Sequence, residues 1–213
     1  MSDRPSSRIS SRRKPKQARS NDLVSAILQA AIQVLAKEGA HRFTTTRVAE
    51  RAGVSVGSVY QYFPNKASIL FRLQSDEWRQ TTAMLAAILQ DARMPPLQRL
   101  RKLVHTFVRS ECEEADVRTA LNDAAPFYRD APEALEAKAT CDRMFQVFMQ
   151  EALPGVDEAA RAIAADLVTA AMSAVGQKFS ETPRTSEEIT AYADALADML
   201  CAYLAHLSNP GKP

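Results

Sequence analysis

Residues 43–70 read FTTTRVAERAGVSVGSVYQYFPNKASIL, and the spacing inside this stretch decides the fold. Thr44-Thr45-Thr46 offers an N-cap for a short helix over 47–52, which Gly53 ends. Ser55 can cap a second short helix running to Phe63, just before Pro64. Two short helices that cross closely need a small residue at the crossing, and Ala49 supplies it. The turn between them needs a residue able to take positive φ, and Gly53, four positions on, supplies that. Val48, Ala52, Val54 and Val59 are apolar where the pair must pack on each other and on the helix before them. The second helix then exposes Val56, Gly57, Ser58, Gln61 and Tyr62, small or hydrogen-bonding side chains suited to a major groove. Residues 44–63 are predicted to form a helix-turn-helix.

Working outward, proline and glycine divide the chain into helices and nothing else. Leu23, Ile27, Ala31, Val34 and Leu35 recur at helical spacing and predict a first helix over 21–38, stopped at Gly39. Asn65 can cap a long helix over 65–91, and Pro95-Pro96 opens another over 97–113. Shorter and longer helices follow over 116–125, from Pro132 to Pro154, and over 157–177. The last has a Thr185-x-x-Glu188 capping box and an apolar stripe from Ile189 to Leu207. The composition agrees, with 36 Ala against 6 Gly. The expected fold class is all-α: an N-terminal three-helix helix-turn-helix domain over 21–70 and a C-terminal helical bundle over 71–213.

Charge is divided unevenly. Residues 1–70 hold 12 Lys/Arg against 4 Asp/Glu, while residues 71–213 hold 15 against 21. Seven of the basic residues fall in the first 19, so residues 1–20 read as a disordered basic arm. A basic head on an acidic body suggests that the head meets a polyanion. No signal-like apolar run opens the chain, and no 18-residue apolar stretch predicts a membrane span. Cys112, Cys141 and Cys201 are scattered, which suits reduced thiols in the cytoplasm and no metal site.

The quoted stretch resembles the DNA-binding domain of TetR-family transcriptional regulators. Its Thr-Thr, Ala-Gly-Val-Ser-x-Gly, Tyr-x-x-Phe and Asn-Lys elements carry the resemblance over residues 21–70. The resemblance implies that Thr45 and Lys66 contact phosphates and that Ser55, Val56 and Gly57 form the tip of the recognition helix, followed by Ser58. It makes Tyr60, Gln61 and Tyr62 the base- and phosphate-facing residues, with Tyr62 standing where the family often has His. It also implies a homodimer through the last two helices and a body that encloses a small-molecule effector, with no cofactor. Large adaptable side chains are the candidates for that pocket: Trp78, His105, Phe107, Phe127, Tyr128, Met144, Phe145, Phe148 and Met172, with Asn122, Gln146 and Thr169 as polar groups.

Gly53-Val54-Ser55-Val56-Gly57 also matches the G-x-S-x-G nucleophile elbow. That elbow needs a strand delivering the serine into a strained turn, and here a helix precedes it. The expected function is therefore not enzymatic. It is ligand-responsive repression from a pseudo-palindromic DNA operator; a helical ligand-binding or scaffold protein with a merely structural helix-turn-helix is the alternative.

Overall fold

The computed structural model describes residues 16–124 and 131–209. Among them the elements are α1 (Lys16–Arg42), α2 (Thr45–Ala52), α3 (Val56–Tyr60), α4 (Lys66–Leu89), α5 (Pro96–Glu113), α6 (Ala115–Ala124), α7 (Pro132–Ala152), α8 (Glu158–Ser180) and α9 (Ser186–Ser208), with no strand. The all-α reading holds. Residues 1–15 of the expected arm lie outside the described residues.

Local chemistry sets the boundaries. Helix α1 begins at Lys16, inside the stretch assigned to the arm. Lys16, Gln17, Ala18 and Arg19 are all strong helix formers, and Pro15 precedes them in the sequence. The helix breaks at Gly39, where φ is 70° and ψ is 172°. Thr44 is the residue of the threonine triplet that caps α2, accepting from the Arg47 N–H at 3.2 Å. Gly53 closes α2 in the left-handed region, at φ 67° and ψ 31°. Helix α3 is shorter than predicted and ends at Tyr60. The turn continues through Phe63, whose N–H reaches the Val59 carbonyl at 2.9 Å, until Pro64 disfavours further helix. Asn65 with Ser68, and Thr185 with Glu188, form the reciprocal boxes that open α4 and α9.

Two hydrophobic cores result. The first joins α1 to α2, α3 and the start of α4 through Ile27, Leu35, Phe43, Val48, Val59, Ile69 and Leu73. Leu121 of α6, 2% exposed, is packed into this same core. The second core fills the bundle of α4, α5, α7, α8 and α9. Helix α4 runs unbroken through residue 70 and serves both, with Leu73 in the first core and Leu85, Ile88 and Leu89 in the second. Helix α5 is the centre of the body and touches α4, α6, α7, α8 and α9. Arg99 on α5 is buried to 2% exposure, donates to the Leu89 carbonyl at the end of α4, and pairs with Glu151 of α7. It thereby satisfies a helix-terminal carbonyl that the core would otherwise strand.

One expectation about assembly changes here. The resemblance implies a homodimer through the last two helices, yet much of the apolar stripe of α9 is taken up within the chain. Ala193, Leu196, Ala197, Leu200 and Leu204 are buried, because α5 covers them with its own Leu100, Leu103, Val104 and Val108. The Arg101–Asp198 ion pair and the hydrogen-bond contact between His105 and Asp194 lie along that seam. Helices α8 and α9 each carry a second apolar stripe that stays exposed: Ile163 and Leu167 on one, Tyr192 and Met199 on the other. By length and mean hydropathy, residues 20–42 and 158–180 could also cross a membrane. Both, however, place apolar faces in the two cores, Ile27, Ala31 and Leu35 in one, and Ala164, Val168 and Met172 in the other.

Candidate DNA-binding surface and body chamber

The turn between α2 and α3 brings the sequence-predicted DNA residues onto one face. Ser55 caps α3, its Oγ accepting from the Ser58 N–H at 3.0 Å and lying 2.8 Å from Ser58 Oγ. This hydroxyl is therefore held in a cap by the first turn of a helix, with none of the strand geometry of a nucleophile elbow. Val56 and Ser58 are half-buried, whereas Gly57, Tyr60, Gln61 and Lys66 are exposed. Gly57 lies inside α3, where an added Cβ would approach only Ser55 Oγ, at 3.8 Å. Nothing among the described residues requires glycine there.

Two tyrosines are positioned by bonds that spacing did not reveal. Thr45 is nine-tenths buried, and its Oγ1 lies 3.2 Å from Tyr60 Oη. Its hydroxyl thus ties the start of α2 to the end of α3. Tyr62 Oη accepts from Ser20 Oγ at 3.1 Å, which fastens the N-terminal part of α1 beside the motif. Arg47 pairs with Glu38, and Arg51 Nε donates to Gln33 Oε1, so α2 is laced to α1 along its charged side.

In the body, Trp78 of α4 is the residue around which open space gathers. It lines a cavity of about 690 Å³ between α4 and α7, another of about 420 Å³ bordered also by α8, and a third of about 250 Å³. The third, hereafter the chamber, lies among α4, α5, α6 and α8 and is walled by Trp78, Phe107, Gln74, Glu77, Glu111 and Arg118, among others. Of the expected pocket residues, Trp78 and Phe107 meet in this chamber, and Thr169 lines the second cavity. Phe145, Phe148 and Met172 are packed inside the second core, with Met144 against it. Helix periodicity selects large apolar residues for both roles, so it could not separate lining from core. His105 is on the α5–α9 seam with Asp194, 3.0 Å away, and Gln146 is exposed. Phe127, Tyr128 and the side chain of Asn122 lie outside the described residues.

An ionic network that the sequence did not suggest forms one wall of the chamber. Arg118 of α6 is 2.5 Å from Glu77 of α4, 3.1 Å from Glu111 of α5 and 2.8 Å from Glu114. Gln74 donates to Glu77 Oε2 at 3.0 Å. Burial pushes the Glu111 carboxyl above the usual carboxylate range; Arg118 opposes that, and Glu77 and Glu114 add to it. Glu77, Arg118 and Leu121 also line a separate cavity of about 580 Å³ against α1. The chamber wall and the first core therefore share helix α6.

A helix-turn-helix with an exposed polar face, carried by a helical bundle with a walled chamber, defines a DNA-binding regulator with a receiver domain. Residues 27–73 match the model for bacterial regulatory proteins of the tetR family, and residues 95–207 match the tetracyclin repressor-like C-terminal domain. The chain belongs to the TetR family of transcriptional regulators. It is 39% identical over 54 residues to the fatty acid metabolism regulator protein of Bacillus subtilis, covering 25% of this chain and 28% of that protein. It is 28% identical over 141 residues to the transcriptional repressor KstR of Rhodococcus jostii, covering 63% of each. The chain thus spans less than two thirds of the length of these curated relatives. Its fold is shared with a TetR-like regulator from Rhodococcus sp. RHA1, at a TM-score of 0.64 and 18% identity over 94% of this chain and all of that one. It is shared also with FadR of Bacillus subtilis in complex with stearoyl-CoA, at a TM-score of 0.62 and 15% identity over 84% and 97%.

Proposed function

We propose that this protein is a cytoplasmic repressor that binds a pseudo-palindromic operator as a homodimer and is released by a small-molecule effector. The observation that carries the reading is the exposed face of α3 with Gly57, Tyr60 and Gln61, held by the Thr44 and Ser55 caps and by the Thr45–Tyr60 bond. Two such faces, one per protomer, enter successive major grooves, with Lys66 clamping a phosphate beside each. The exposed stripes of α8 and α9 join the protomers. The effector enters beside Trp78, and its binding favours a protomer spacing that the operator cannot match. The name of the KstR repressor supports repression, and the stearoyl-CoA complex of FadR supports a small-molecule ligand.

Selection of bound sequences from random duplex DNA tests this reading. The expected product is a two-fold-symmetric site whose retardation on gels weakens steeply with salt. Recovery of no preferred sequence, with salt-insensitive binding, would favour a merely structural helix-turn-helix.

A further inference from the structure

The helix-turn-helix stretch is poor in available cations for a surface that meets a polyanion. Residues 43–70 hold three basic residues, Arg47, Arg51 and Lys66. Arg47 pairs with Glu38 and Arg51 Nε donates to Gln33 Oε1, so both side chains are engaged with α1. Of the three, only the exposed Lys66 is without an ionic or hydrogen-bonded partner among the described residues. Neutralised phosphates supply a large share of the affinity of DNA-binding proteins, so further positive charge must come from outside this stretch. Residues 1–15 carry it, as Arg4, Arg8, Arg12, Arg13 and Lys14 against Asp3.

The structure fixes where that charge is delivered. Ser20 Oγ donates to Tyr62 Oη at 3.1 Å, and Tyr62 directly follows the exposed Tyr60 and Gln61. Lys16, the first residue of α1, is one helical turn, about 6 Å, before Ser20. The chain preceding Lys16 therefore departs from the edge of the α3 face.

From this we infer that residues 1–15 are a second DNA-reading element, which leaves the start of α1 beside α3 and lies in the minor groove flanking each half-site. The inference deepens the repressor reading above and rests on it. Composition selects the groove over the phosphates alone. Four of the five cations are arginines, whose weakly hydrated guanidinium a narrow A·T minor groove attracts. Fifteen extended residues reach up to about 50 Å. That exceeds the half-turn of B-DNA, about 17 Å, that separates a major groove from the next minor groove.

Two measurements with the full-length chain and its selected operator test this. In the first, Arg4→Gln, Arg8→Gln, Arg12→Gln, Arg13→Gln and Lys14→Gln are combined in one variant. Its slope of log affinity against log salt should flatten by about 4 units or more per dimer, about 0.9 for each phosphate no longer neutralised, with base preference inside the half-sites unchanged. In the second, the DNA is changed and the protein is not, so no variant need fold. Flanks of A·T pairs should bind at least about fivefold tighter than flanks of G·C pairs. Replacing flanking guanine by inosine removes only the minor-groove amino group, and should restore most of that loss. The charge-stripped variant should be indifferent to all three flanks. A lost slope with indifference to the flanks in the unaltered protein puts residues 1–15 on phosphates alone and overturns the inference. So does an unchanged slope in the variant, while selection of a symmetric operator leaves the repressor reading standing. A chain that selects no operator overturns both.

Discussion

Gly57 separates folding from docking at the scale of one residue. Its position inside α3 has open space around the missing Cβ and no positive φ. Gly57→Ala should therefore keep the fold and gain about 0.5–1 kcal/mol of stability from reduced backbone freedom in the unfolded chain. In the proposed docking the same methyl group would stand where the helix meets a base edge. Operator affinity should fall in a gel-shift titration while the melting temperature holds or rises; unchanged affinity would mean that α3 does not approach DNA closely at this point. Arg99 makes the opposite case, a charged side chain needed for packing. Arg99→Met keeps most of its volume but strips the donors from the Leu89 carbonyl and from Glu151. Glu151 is half-exposed and can turn to water, so the loss is dominated by the buried carbonyl, about 1–3 kcal/mol in urea denaturation.

Helix α6 is distant in sequence from the DNA-binding motif but belongs to its core. Leu121 stands among Ile27, Val34 and Leu73, and Leu121→Ala should cost about 2–5 kcal/mol by removing buried volume that those neighbours cannot refill. Hydrogen exchange should show the loss in α1 and α4 more than in α9. On α8, Gly176 allows α5 to approach closely. A Cβ there would lie 2.7 Å from Phe107 Cε1 and 3.2 Å from Glu111 Cγ. Gly176→Ala must therefore push the Phe107 ring toward the chamber, costing about 1–3 kcal/mol and displacing ligand from Trp78 in fluorescence titrations. Intact ligand binding in a folded Gly176→Ala protein would show that α8 yields instead of the ring.

Assembly distinguishes two stripes on the same helices. Leu196 is 5% exposed within one chain, while Met199 is 55% exposed and Leu167 48%. Met199→Asp or Leu167→Asp should split the proposed dimer in sedimentation experiments and leave a folded monomer. Leu196→Asp should unfold the body, because the charge enters the core beneath α5. If Met199→Asp and Leu167→Asp both remain dimeric, the protomers meet through another face. An operator of two half-sites requires the pairing, since each protomer carries one α3.

The helices, their caps and the helix-turn-helix were legible because each depends on residues within about four positions. Thr185 with Glu188, Ser55 with Ser58, and Gly53 in the left-handed region are local events. Helix α1 starts before residue 21 because Lys16 to Arg19 are good helix formers as well as a run rich in positive charge. Other features depend on which helix lies opposite, and no spacing along the chain encodes that. Glu77 and Arg118 are 41 positions apart, and Ser20 and Tyr62 are 42 apart. Phe107 and Phe145 look alike as apolar members of helical stripes, yet one lines the chamber and the other fills the core. Leu196 and Met199 likewise differ only in whether α5 covers them. The sequence by itself determined that this chain is a string of amphipathic helices headed by a DNA-reading turn. Tertiary packing alone decided which apolar face became core, which stayed exposed, and where Trp78 borders open space, because burial is settled by the partner surface and not by the residue.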